Sequence, residues 1–170
     1  MKKSVLLFIV VIFLGSCSTL PRQNVDVLEK HFNGVVFREY GKQENPITRE
    51  VYFYKSVLFA VGKEKDIASA VNGTVIDRID NLSSNEKIYD VYMGTGTCLA
   101  IESVKGYVVL YGGITTTLEK GDAVTTKSII GKTGPNPEPY TFNFAVLVEG
   151  EAVDPFSITY DLQYFFGDIF

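Results

Sequence analysis

From about residue 33 onward the chain is broken every few residues, and this punctuation limits what it can fold into. The runs GVVFREY, REVYFYKSVLFAV, GTVIDRID, KIYDVYM, TCLAIES, YVVLYG, KSIIG, YTFNFAVLV and AVDPFSI are short and rich in Val, Ile, Tyr and Phe. Clusters of Gly, Asn, Asp, Ser or Pro divide them. β-Branched and aromatic side chains suit a pleated, half-buried surface, and the dividing clusters are turn chemistry. The spacing predicts an all-β domain over residues 33–158, an antiparallel β-sandwich or half-open barrel. Val104-Lys105-Gly106-Tyr107 and Val148-Glu149-Gly150-Glu151 read as hairpin turns. In GTVIDRID, alternation puts Val75, Asp77 and Ile79 on one face and Thr74, Ile76, Arg78 and Asp80 on the other. GKTGPNPEPY (131–140), with three prolines and two glycines, reads as an irregular loop. Asp26 to Phe32 fits one or two helical turns, and at 170 residues one domain is the default.

The first residues read as an address. Lys2 and Lys3 precede the apolar run Val5 to Leu14. That run suits the h-region of a signal peptide and falls short of the roughly 20 residues that span a bilayer. Leu14-Gly15-Ser16-Cys17 follows and resembles the bacterial lipobox. The resemblance implies cleavage after residue 16 and lipidation of Cys17, hence a chain held on a membrane by two or three acyl chains. Residues 1–16 are then the signal, 17–32 a lipidated tether with the short helix, 33–158 the β domain and 159–170 an aromatic tail. The implied address is the bacterial cell envelope, on the periplasmic face of the outer membrane if the cell has two membranes. With Cys17 consumed, Cys98 is left without a disulfide partner; it reads as a small buried hydrophobe.

Composition excludes several functions. With 16 Lys+Arg against 20 Asp+Glu and a formal charge of −4, the chain lacks the basic footprint that nucleic acid demands. His31 is the single histidine, so no site within one copy can use two imidazoles; at the end of a short helix it reads as a surface residue. The carboxylate pairs Asp77/Asp80 and Glu149/Glu151 read as solvated strand and turn faces. Ser83-Ser84 has no base in sequence reach, and neither a phosphate-binding glycine loop nor a nucleophile elbow is present.

The order of several small motifs resembles the lysostaphin/LytM-type zinc endopeptidases that cut peptidoglycan, with their duplicated-hybrid-motif fold. The motifs are DIASAVNGTV (66–75), Gly94-Thr95-Gly96 before TCLAIES, and YVVLYGGI (107–114). Next come LEKGDAV (118–124) with IIGKTG (129–134), and then Phe142-Asn143-Phe144-Ala145-Val146 with Gly150 and Val153-Asp154-Pro155. Active members bind Zn²⁺ through a His-x-x-x-Asp stretch and the second His of His-x-His. Three ligands leave one position for a water whose pKa falls toward about 7.

Carried onto this chain, the zinc-ligand positions are Tyr54, Leu58 and Asn143, and the catalytic histidine positions are Thr141 and Gly113. None is a histidine or carboxylate, so the expectation is no metal, no cofactor and no hydrolysis. The resemblance implies a degenerate member whose old groove, lined by Tyr54, Leu58, Gly113, Thr141, Phe142 and Asn143, binds peptidoglycan or a cell-wall hydrolase. The alternative is a structural or assembly module of an envelope complex with its contacts elsewhere. Oligomeric state is left open.

Overall fold

The protein is described from a computed structural model over residues 25–134 and 140–156. The signal segment, Cys17, residues 135–139 of the expected loop and the tail 159–170 lie outside these residues. Residues 131–133, read from the sequence as part of that loop, are instead the end of a strand. The described chain opens with helix α1 (Val25–Phe32), which buries Leu28 and Phe32. Asp26 in its first turn and Lys30 in its last suit the helix dipole. Asn33, at φ 49°, makes the left-handed step that ends it.

Among the described residues fourteen strands follow: β1 (Val35–Arg38), β2 (Gly41–Glu44), β3 (Val51–Tyr54), β4 (Val57–Ala60), β5 (Asp66–Ala68), β6 (Gly73–Leu82), β7 (Lys87–Ile88), β8 (Val91–Tyr92), β9 (Gly96–Ser103), β10 (Val108–Thr115), β11 (Ala123–Val124), β12 (Ile129–Thr133), β13 (Thr141–Val148) and β14 (Glu151–Val153). Ten form one antiparallel sheet in the order β1-β4-β13-β10-β9-β6-β11, with β12 joined to β10 and β5, and β14 to β13. β2–β3 and β7–β8 are separate hairpins. The all-β expectation holds, and both hairpin turns fall where the sequence places them, between β9 and β10 and between β13 and β14.

The sheet is apolar on both faces. One face carries the main core, where Phe32, Phe59, Tyr111, Phe142 and Phe144 meet. Phe32 is the hub: its ring lies 5.0 Å from Phe59, 5.0 Å from Phe142 and 5.2 Å from Phe144. Burying a phenylalanine side chain stabilises by roughly 1.5–3 kcal/mol, so this contact ties α1 to the sheet. The polar tip of Tyr111 is satisfied, since the Ala70 amide donates to its hydroxyl at 2.7 Å. The other face carries a smaller cluster of Cys98, Ala100, Leu110, Ala145 and Leu147 beneath Leu82, Val91 and Met93.

Three strand readings are corrected. REVYFYKSVLFAV is two strands, parted at Lys55-Ser56. KIYDVYM is a hairpin: Tyr89 and Asp90 sit at φ 49° and 60°, a left-handed pair that reverses the chain. In β6 the strict alternation fails because the register against β9 shifts between Val75 and Asp77. Val75 therefore faces the main core while Ile76 and Ile79 both pack on the second cluster.

Two edges of the sheet are blunted. Glu29 accepts the outward amide of Val36 on β1 at 2.7 Å. The Tyr40 hydroxyl donates to the outward carbonyl of Ala152 on β14 at 2.9 Å. Capped edges of this kind resist pairing with another chain.

Candidate functional site

Strand register assembles most of the positions singled out in the sequence. Leu58 on β4 lies opposite Asn143 on β13, Asn143 opposite Gly112 on β10, Gly112 opposite Cys98 on β9, and Cys98 opposite Ile79 on β6. Directly opposed residues share a face, so these form one row across the sheet. Thr141, two residues before Asn143, shares that face. Gly113, at φ 76°, sits where the β9–β10 register shifts beside the row. Tyr54 ends β3 just beyond it. The Arg38 guanidinium, on the residue opposite Leu58, stacks 4.1 Å from the centre of the Tyr54 ring.

Phe142 does not join this group. Neighbouring residues of a strand point to opposite faces, and its ring stacks on Phe59 at 5.6 Å inside the main core. It lines no groove.

The row is covered. β7 and β8 fold back over it, and Val91 and Met93 are fully buried. Met93 presses against Gly112: a Cβ added there would lie 2.1 Å from the Met93 carbonyl oxygen, so only glycine fits beneath it. The Ser56 hydroxyl lies 3.2 Å from Tyr92 O and 3.4 Å from Asn143 Oδ1, joining the cover to the row. Outside, Lys55 and Lys87 both bind the Asp90 carboxylate at the hairpin turn. These lysines hold its pKa down, at about 2. Leu58 and Asn143 are left 0% and 2% exposed, and the expected open groove over them is absent. Two surface cavities lie elsewhere: about 320 Å³ lined by Thr115–Leu118 and Ile129–Lys132, and about 480 Å³ between α1 and β1.

The donor set does not suit zinc. Leu58 has no donor atom, Asn143 is a neutral amide already engaged with Ser56, and Tyr54 lies under a fixed guanidinium charge that would repel a cation. No group of three or more His, Cys, Asp or Glu that could hold a metal occurs among the described residues. Cys98 on the row is no nucleophile, since burial and the nearby Asp77 push its thiol up to about 12. His31 is half-buried rather than on the surface; its Nε2 lies 3.0 Å from the Ser69 carbonyl, and burial lowers its pKa.

Sequence reasoning missed Ser56, Val91, Met93, Gly112 and Arg38, the residues that close the site. Their signal was faint: the apolar residues Ile88, Val91 and Met93 in a run that reads equally well as one strand.

Solved structures share this fold. The catalytic domain of lysostaphin from Staphylococcus simulans is 17% identical with a TM-score of 0.57, covering 75% of this chain and 92% of that one. The catalytic domain of the prophage-encoded M23 protein EnpA from Enterococcus faecalis, in a mutant form, is 19% identical with a TM-score of 0.59, covering 74% and 92%. A chain of the SpoIIIAH and SpoIIQ complex is 20% identical with a TM-score of 0.55, covering 72% and 90%. A zinc-containing peptidase from Vibrio cholerae also matches at 23% identity and a TM-score of 0.55, but this chain spans only 35% of its length. No protein-family profile matches the sequence, and neither does any curated protein. The fold is therefore one shared with lysostaphin-type catalytic domains and with a chain of the SpoIIIAH and SpoIIQ complex.

Proposed function

We propose that this protein is a non-catalytic module of the bacterial cell envelope, lipid-anchored at Cys17, that works by contact with other proteins. It would either serve as an assembly piece or regulate a cell-wall hydrolase. The observation that carries this reading is the closed row: Leu58, Asn143 and Gly112 stand side by side, Leu58 and Asn143 are buried, and Met93 packs directly on Gly112. The resemblance in sequence makes Leu58 and Asn143 the counterparts of lysostaphin-type zinc ligands. A muropeptide has no way in, and the residues beneath have no metal-binding or nucleophilic chemistry to offer. The closed row also weighs against the old groove as a peptidoglycan-binding surface, which leaves the exposed strands for contacts. The similarity to a chain of the SpoIIIAH and SpoIIQ complex supports a role in assembly.

The test is zinc content and activity of the full chain in detergent. The expected result is no stoichiometric zinc, no muropeptide release from purified sacculi and no retention on them. Stoichiometric zinc with chelator-sensitive cleavage would overturn the reading. The anchor is tested separately: incorporation of labelled palmitate should be lost in Cys17→Ser, and equal labelling of both chains would remove the anchor from the proposal.

A further inference from the structure

The β2–β3 hairpin stands apart from the main sheet, and its two outer edges differ in chemistry. The β2 edge reads Gly41-Lys42-Gln43-Glu44, with Lys42 and Glu44 exposed. The β3 edge reads Val51-Tyr52-Phe53-Tyr54, with Val51 and Phe53 61% and 54% exposed. Charges guard an edge, whereas a bare aromatic and β-branched edge is a template for another strand.

The main chain agrees. The Asn45 amide donates to Glu50 O at 2.8 Å, which makes those two a hydrogen-bonded pair at the hairpin end. By alternation Tyr52 and Tyr54 turn their main-chain groups toward β2, and Val51 and Phe53 turn theirs outward. Among the described residues no strand pairs with that outer edge. The edges of β1 and β14, by contrast, carry the Glu29 and Tyr40 caps.

We propose that β3 is a self-association edge on which a second copy of this chain pairs, antiparallel, to give the sheet β2-β3-β3-β2. Two identical antiparallel strands related by a two-fold axis pair about a residue that faces itself. Centred on Tyr52, the register sets Arg49 against Lys55 of the second copy, two like charges. Centred on Phe53, it sets Phe53 against its own copy, Tyr52 against Tyr54 twice and Val51 against Lys55 twice. Aromatic cross-strand pairs then form on both faces with no charge clash, and the outward main-chain groups of Val51 and Phe53 are satisfied. A second copy fits because the same edge supplies both halves of this match. A lone two-stranded ribbon is marginal in water, and pairing turns it into four strands. The inference stands independently of the lipid anchor and of the proposed function.

The test uses the full chain in mild detergent. Opposed Phe53 residues in a hydrogen-bonded pair bring their Cα atoms to about 5.5 Å, within disulfide range. Under oxidation Phe53→Cys should give a disulfide-linked dimer. Lys42→Cys, on the other edge of the same hairpin, should stay at the background set by the parent chain. In sedimentation the parent should dimerise with rising concentration, and Phe53→Lys should remain monomeric while still melting cooperatively, the loss of its edge contact with the Tyr40 ring at 5.4 Å lowering the melting temperature slightly. A parent that stays monomeric at every concentration, equal cross-linking by Lys42→Cys, or dimerisation that survives Phe53→Lys would each overturn the proposal. So would a Phe53→Cys thiol that resists alkylation in a monomer until residues 157–170 are removed, because that would assign the edge to the chain's own tail.

Discussion

Gly112 and Met93 are packed so closely that a single methyl group on Gly112 would overlap the Met93 carbonyl, 2.1 Å away. The contact joins the central strand of the sheet to the segment that covers it, and the geometry of the site depends on it.

Gly112→Ala should therefore push the cover away from the row. Overpacking of this kind typically costs about 1–3 kcal/mol. The expected result is a lowered melting temperature, with faster amide exchange at Val91 and Tyr92 than at β13. Met93→Ala at the same contact should cost about 2–5 kcal/mol by leaving a cavity. Unchanged melting in both variants would mean that the hairpin does not bear on the row.

Phe32 is the second mechanical link. Its ring meets Phe59, Phe142 and Phe144 from a helix of only eight residues, which it anchors together with the fully buried Leu28. Phe32→Ala should destabilise the domain by about 3–5 kcal/mol. The measurement is the urea midpoint, and a loss under about 1 kcal/mol would show that α1 is a passive appendage.

Asp90 gives a pH signature. Its carboxyl titrates at about 2 in the folded chain, against an ordinary 3.8, because Lys55 and Lys87 bind the ionised form. Below the folded pKa both states are protonated and the advantage is gone; above the ordinary pKa it is fully present. The stability difference between the parent and Asp90→Asn should thus hold above about pH 5 and shrink as pH falls toward about 2. A difference that does not vary with pH would show that the two lysines contribute nothing through that carboxylate.

Cys98 should resist alkylation in the folded chain at about pH 8, since burial raises its thiol to about 12, and should react at once in denaturant. Mass spectrometry after iodoacetamide treatment distinguishes the two states. Rapid modification of the native chain would mean that the second cluster opens readily.

His31 supplies a further slope. Its folded pKa is lowered by burial, so the unfolded chain takes up the proton first as pH drops. Stability should be complete above about 6.5 and decline below it, and His31→Gln should flatten that decline. Urea midpoints between about pH 5 and 7.5 test this.

The fold was largely legible because strands, turns and the glycines at tight connections leave local marks. Glu149-Gly150, at φ 53° and 83°, is a hairpin turn in sequence and in space. The site was only half legible. That Tyr54, Leu58, Thr141 and Asn143 would lie together followed from the order of motifs. That they would be sealed did not, because the cover depends on Tyr89 and Asp90 adopting left-handed conformations with no glycine to announce them. Phe142 was misplaced for a simpler reason. With Thr141 and Asn143 assigned to the site, strand alternation already turns Phe142 between them to the opposite face, and the expected groove left that rule unapplied.

The guanidinium of Arg38 over Tyr54 has one more consequence. A metal ion is borrowed from the surroundings and lost to any stronger chelator, while an arginine is carried by the chain through every change of medium. Where the positive charge is built in, as at Arg38 over Tyr54, that contact needs no divalent cation. The chain should melt at the same temperature with added zinc as with a chelator.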